Sequence, residues 1–155
     1  MKLQETLHIY LGHETQNEMI EIVGCQIQKE VASRAAAAGV FAVLMDETTD
    51  VSHKEQVSIF VRYVVDNDES RDEPTVEEHL LALVTTAATT GEALAEVLTD
   101  CLQRHNLDIH NVVGQGYDGG SNMRGASKGV QARIKKVNPT ALFTHCFAHN
   151  NNNNK

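Results

Sequence analysis

The feature that most narrows the fold is the run V-F-A-V-L-M at residues 40–45, apolar at every position and closed at once by Asp46. Strand side chains alternate between faces, so a run with no polar member belongs to a strand covered on both sides. Such a strand sits in the middle of a sheet and needs helices around it. The run is far shorter than the ~20 apolar residues of a bilayer-spanning helix, and no longer one exists, so no membrane span is expected. The N-terminus, with Lys2, Gln4, Glu5 and His8 close together, lacks the apolar core of a secretory signal. An intracellular, reducing compartment is therefore the expectation.

The surrounding pattern supplies the rest of a layered domain. Residues 14–38 predict a helix, because Met19, Ile20, Val23, Ile27, Val31 and Ala35 recur at steps of three and four before Gly39. After the central run, Val57, Ile59, Val61, Tyr63 and Val65 alternate with polar residues, which is strand period. A third strand is expected over 79–85. Thr89, with Glu92 three residues on, has capping-box spacing for a helix carrying Leu94, Val97, Leu98, Cys101 and Leu102 on one face. A short strand at 109–113, a helix over about 127–137 and a fifth strand at 141–147 complete the order β-β-β-α-β-α-β behind an N-terminal helix. Three consecutive strands favour an antiparallel meander, and each later crossover adds a parallel neighbour. The predicted class is α/β, a mixed five-stranded sheet with flanking helices.

Composition agrees with one such domain. Of 155 residues, 41% are apolar and 22% charged, with only 10 Gly and 2 Pro, which excludes a disordered or collagen-like chain. A chain of this length buries roughly 70% of its unfolded surface. Thirteen basic against 21 acidic residues leave a net charge of −8, without the basic surplus of a self-sufficient DNA-binding module. Cys25, Cys101 and Cys146 are too few and too widely spaced for a disulfide framework.

Chemistry is expected at Asp46 and Asp118. Each closes a strand, and if those strands are parallel neighbours both carboxylates leave the same sheet edge. Two carboxylates about 4 Å apart repel by ~1–4 kcal/mol near a protein surface, a cost relieved by a shared proton or a divalent cation. Hard oxygen donors suit Mg²⁺ or Mn²⁺.

Four segments in order resemble the conserved blocks of hAT-superfamily DNA transposases: F-A-V-L-M-D-E-T-T-D at 41–50, T-G-E-A-L at 90–94, G-Q-G-Y-D-G at 114–119 and C-F-A-H at 146–149. The similarity extends over about 14–149, and is strongest to transposon-derived proteins with TTF-type or MYM-type zinc fingers. The resemblance implies a ribonuclease-H-like fold and metal-dependent DNA cleavage and strand transfer with Mg²⁺ or Mn²⁺. It assigns the first two catalytic, metal-binding acids to Asp46 and Asp118, and places Cys146 and His149 near the active site and the DNA end. The family's third acid is a Glu beyond a downstream helical insertion, and its C-terminal oligomerisation region lies further still. The expectation is thus a nuclear, transposase-derived fragment, inactive alone, that binds transposon-end DNA in an intact oligomeric protein. It divides into a helical segment (1–39), a partial catalytic core (40–149) and an Asn-rich end (150–155). The alternative is a domesticated, non-catalytic DNA- or protein-interaction module; a stand-alone nuclease recruiting Asp50 is the third.

Other motifs have plainer readings. Gly114, Gly116 and Gly119 formally match a dinucleotide fingerprint, but they follow the fourth strand rather than the first, with no acid about 20 residues on. They are expected to be turn residues adopting positive φ around Asp118. His145, Cys146 and His149 lack the second ligand pair of a zinc site. Glu47 should point away from Asp46 into a solvated or capping position. Lys128, Arg133, Lys135 and Lys136 read as a charged outer helix face, with DNA-backbone contact as the alternative.

Overall fold

The computed structural model describes residues 12–49, 55–66, 73–118 and 120–145. Helix α1 (His13–Ala37) leads into β1 (Phe41–Thr49), β2 (Glu55–Val65) and β3 (Thr75–Thr86). Helix α2 (Gly91–Arg104) and a 3₁₀ turn (Ile109–Asn111) precede β4 (Val112–Tyr117). Then come the single turn α3 (Ser121–Arg124), α4 (Val130–Val137) and β5 (Leu142–His145). One mixed sheet results, in the order β3-β2-β1-β4-β5. β1 to β3 form the antiparallel meander, and β4 and β5 join in parallel. This is the α/β architecture that the sequence pattern predicts.

Each element follows from local chemistry. Gly39 adopts φ +78° after α1 and donates its N–H to the Ala36 carbonyl, ending the helix as expected. Helix α2 starts one residue later than capping-box spacing suggests. Thr90, not Thr89, is the N-cap, and its Oγ1 accepts from the Ala93 N–H at 3.2 Å. Glu92 is left free of the cap and pairs with Arg133 of α4 at 3.0 Å.

Both crossovers, β3 to β4 and β4 to β5, step the same way along the sheet. Right-handed connections therefore place α2 and α4 on one face. On that face Val43, Met45, Val57, Ile59 and Val61 interlock with Leu94, Leu98 and Leu102 of α2 and Val130 and Ile134 of α4 in a single core. α1 joins them only through its last third, where Val31, Ala32 and Ala35 are buried. Its earlier apolar residues Met19, Ile20, Val23 and Ile27 stay exposed, although the same periodicity runs through them. A polar latch fastens α1 to the sheet. Arg34 Nη2 donates to Glu77 Oε1 at 2.6 Å, His79 Nε2 lies 2.9 Å from Glu77 Oε2, and the His79 ring stacks on Tyr63.

The opposite face differs from the two-sided cover inferred from the run at 40–45. No described helix packs there, and its alternate positions include Ala42, Leu44, Phe60, Arg62, Leu80 and Leu142. Leu83 and Leu142 on this side are 58% and 68% exposed.

β4 begins later than expected and absorbs the glycine segment. Gly114 and Gly116 are strand residues, and Gly39 is the only glycine with positive φ among the described residues. The turn reading is thereby corrected for Gly114 and Gly116 (Gly119 lies outside the described residues). They allow close strand approach instead: a Cβ on Gly114 would meet the Ala42 Cβ at 3.1 Å, beside a register shift in the β1–β4 pairing. Asn138 pins the bottom of β4 from the end of α4. Its Nδ2 donates to the Ile109 and Val112 carbonyls at 2.8 and 2.7 Å, and its Oδ1 accepts from the Thr140 N–H at 3.0 Å.

Candidate functional site

The parallel pairing of β1 with β4 positions the two acids. Its last paired residues are Met45 and Tyr117, both facing the core. Asp118 follows directly where β4 ends, whereas Asp46 does not close its strand as expected: β1 continues to Thr49 because its pairing with β2 outlasts that with β4. Adjacent strands run about 4.8 Å apart. Asp46 and Asp118 line one concavity of ≈ 490 Å³ on the open face, together with Leu44, Phe60, Arg62 and Gly116. The strand-order expectation for this pair is met.

The two acids are held differently. The Asp46 side chain is exposed, while its backbone is fixed by β1 and its carbonyl accepts from Ser58 Oγ at 3.2 Å. Asp118 leaves the strand, and its Oδ1 accepts the Gly120 N–H at 3.0 Å. Hard carboxylate oxygens at an open sheet edge fit part of a Mg²⁺ or Mn²⁺ coordination shell. Among the described residues no group of three His, Cys, Asp or Glu gathers as a metal site. Cys146, His149 and Asp50 lie outside the described residues. His145 lines the rim of the same concavity.

Behind the acids lies a polar cluster on the helix-covered side. Asn122 Nδ2 donates to Glu47 Oε2 at 2.8 Å and to the Thr89 carbonyl at 3.0 Å. The other Glu47 oxygen, Oε1, is shut off from solvent without a protein hydrogen-bond partner. Burial pushes the Glu47 carboxyl above the usual carboxylate range; the Asn122 hydrogen bond opposes this, and the negative charges of Asp118, Glu55 and Asp46 add to it. Glu47 does point away from Asp46, but the solvated or capping role is corrected, because a side chain 75 positions away encloses it.

The model of the DUF4371 family, described as the ZMYM1/FAM200 RNase-like domain, matches residues 2–129. The chain belongs to this family. It is also similar to the human 52 kDa repressor of the inhibitor of the protein kinase, 22% identical over 138 residues. That match covers 89% of this chain and 17% of the human protein, so the chain spans a small part of that relative's length.

In this RNase-like domain of transposon-derived kind, the structure brings the candidates Asp46 and Asp118 to one concavity, and sequence reasoning passed over Asn122 beside them. The signal was present as an amide one residue into the helical turn after the glycine segment, yet nothing local tied it to Glu47. Tyr117, between Gly116 and Asp118, was also passed over. Its hydroxyl is buried without a protein partner, and burial drives its pKa up. Cys101, pushed up to about 11 by burial, is an inert core thiol. The basic residues of the α4 region divide: Arg133 pairs with Glu92, whereas Lys128, Lys135 and Lys136 are exposed. No helix among the described residues is long and apolar enough to cross a membrane.

Proposed function

We propose that this RNase-like domain derives from the catalytic core of a hAT-type transposase, in which Asp46 and Asp118 hold Mg²⁺ or Mn²⁺. The DNA of transposon ends is the substrate of the intact, oligomeric, nuclear protein, and Cys146 and His149 lie close to that DNA. The observation that supports this most is the parallel β1–β4 register, which brings the two acids that follow its last paired residues to one open concavity. When bound, the cation would activate water and stabilise the leaving oxygen in phosphodiester cleavage. The chain's own part is to hold Asp46 within the paired β1 and Asp118 just past the end of β4, with one Asp118 oxygen committed to Gly120 and the other left to bind.

The described residues offer two acids and no third ligand, so this stretch is not expected to cut DNA alone. The same shortfall favours a second reading, a domesticated module that keeps the fold for DNA or protein contact. Calorimetric titration of the chain with MnCl₂ and MgCl₂ tests the site. Binding to wild type that disappears in Asp46→Ala and in Asp118→Ala is expected. Equal affinity in all three proteins removes the metal site, and with it the nuclease-derived reading.

A further inference from the structure

The geometry points to Glu47 and Asn122 as a positioning pair for Asp118, an inference that rests on reading Asp46 and Asp118 as the cation-holding acids. Glu47 follows Asp46 on β1 and reaches through to the helix-covered side, where Asn122 Nδ2 donates to it at 2.8 Å. Asn122 is fixed in turn by the Thr89 carbonyl, and its Oδ1 accepts its neighbour Met123's N–H at 3.1 Å. Gly120 is pressed between Asn122 and Asp118. A Cβ there would lie 2.5 Å from Asn122 Oδ1 and 3.1 Å from Asp118 Oδ1. The Gly120 N–H donates to Asp118 Oδ1 at 3.0 Å. The Met123 N–H that Asn122 Oδ1 accepts also donates to the Gly120 carbonyl at 3.1 Å, so a continuous set of contacts runs from the strand bearing the first acid, through Asn122, the Met123 N–H and Gly120, to the carboxylate of the second.

Stability alone does not account for this arrangement. A carboxylate oxygen buried without a protein hydrogen-bond partner costs a fold stability rather than adding to it. Local rules are broken in this way where a site needs geometry. Asp118 lies beyond the last paired residue of β4, so the sheet ladder does not hold it, and the Glu47–Asn122 bond supplies the missing constraint.

The test uses the metal-free chain and the Mn²⁺ titration in parallel. Glu47→Ala and Asn122→Ala should accelerate hydrogen exchange at the Gly120 amide and weaken Mn²⁺ binding by roughly tenfold or more, as lost ligand-supporting contacts do. Glu47→Gln should restore both, because its amide oxygen can still accept from Asn122 Nδ2. If Glu47→Gln loses affinity as fully as Glu47→Ala, the residue acts through its charge, and positioning is overturned. Positioning is also overturned if the alanine variants only lower the unfolding midpoint, with Gly120 exchange tracking global stability and Mn²⁺ affinity unchanged. A wild type that takes up no Mn²⁺ sinks the reading of the acids, while Gly120 exchange still decides whether the pair holds the loop.

Discussion

The two faces of the sheet are built from the same strands and do different work. On the covered face Val43, Val57, Ile59 and Val61 are fully buried under three helices. On the open face Leu44 and Phe60 line a concavity beside Asp46 and Asp118, and Leu83 and Leu142 are exposed. A strand's period of two lets one segment serve both ends. In β1 the odd positions anchor the fold and Asp46 faces the open concavity, while Glu47 lies on the anchoring side. The packed core and the proposed site are thereby separated by the thickness of one sheet, and substitutions on the two sides should differ accordingly.

The largest contrast is between two apolar truncations. Ile59→Ala, on the covered face, should lose about 2–5 kcal/mol in urea denaturation, whereas Leu83→Ala should lose under about 1 kcal/mol. Similar losses would break the comparison by showing that the open face is packed in solution. Polar groups should divide in the same way. Asn138→Ala strips the Ile109 and Val112 carbonyls of a buried donor and should cost roughly 1–3 kcal/mol. On the open side the exposed Arg62–Glu78 pair should contribute no more than ~1 kcal/mol in a double-mutant cycle. Thr90→Ala removes the α2 cap and should cost about 1 kcal/mol, read as a lower thermal midpoint.

The smallest effect is a pH dependence of the α1 latch. Hydrogen bonding to His79, then to Arg34, holds the Glu77 carboxyl below the usual range. Its stabilisation is present above the unfolded carboxylate value and is lost as pH falls through the lowered folded one. Glu77→Gln should therefore flatten the acid limb of the stability curve, and an unchanged limb would show that the latch is idle.

Much of this division could be read in the residues, and the misses have physical causes. Alternation in Val57 to Val65 located β2 and its buried side correctly. The uninterrupted run in β1 could not reveal that Ala42 and Leu44 line an open concavity, because apolar side chains carry no mark of what covers them. β4 was displaced because glycine ordinarily weakens strands. Only the Ala42 side chain on the neighbouring strand, 3.1 Å from where a Gly114 Cβ would lie, explains why that glycine belongs in one. The Asp46–Asp118 convergence was accessible because it follows from strand order alone. The Glu47–Asn122 bond was not, because it joins side chains 75 positions apart and no periodicity encodes such a meeting. Residues 19–27 of α1 have an apolar stripe that the structure leaves exposed, since the helix outruns the sheet on which its last third packs.

Paramagnetic broadening by sub-stoichiometric Mn²⁺ in an amide-resolved NMR spectrum tests the shared acid edge most directly. The account expects the amides of Asp46, Gly116, Asp118 and Gly120 to fade first and together, with Val31 and Leu98 on the far side unaffected. Fading centred on another acidic stretch, or at only one of the two strand ends, would contradict it.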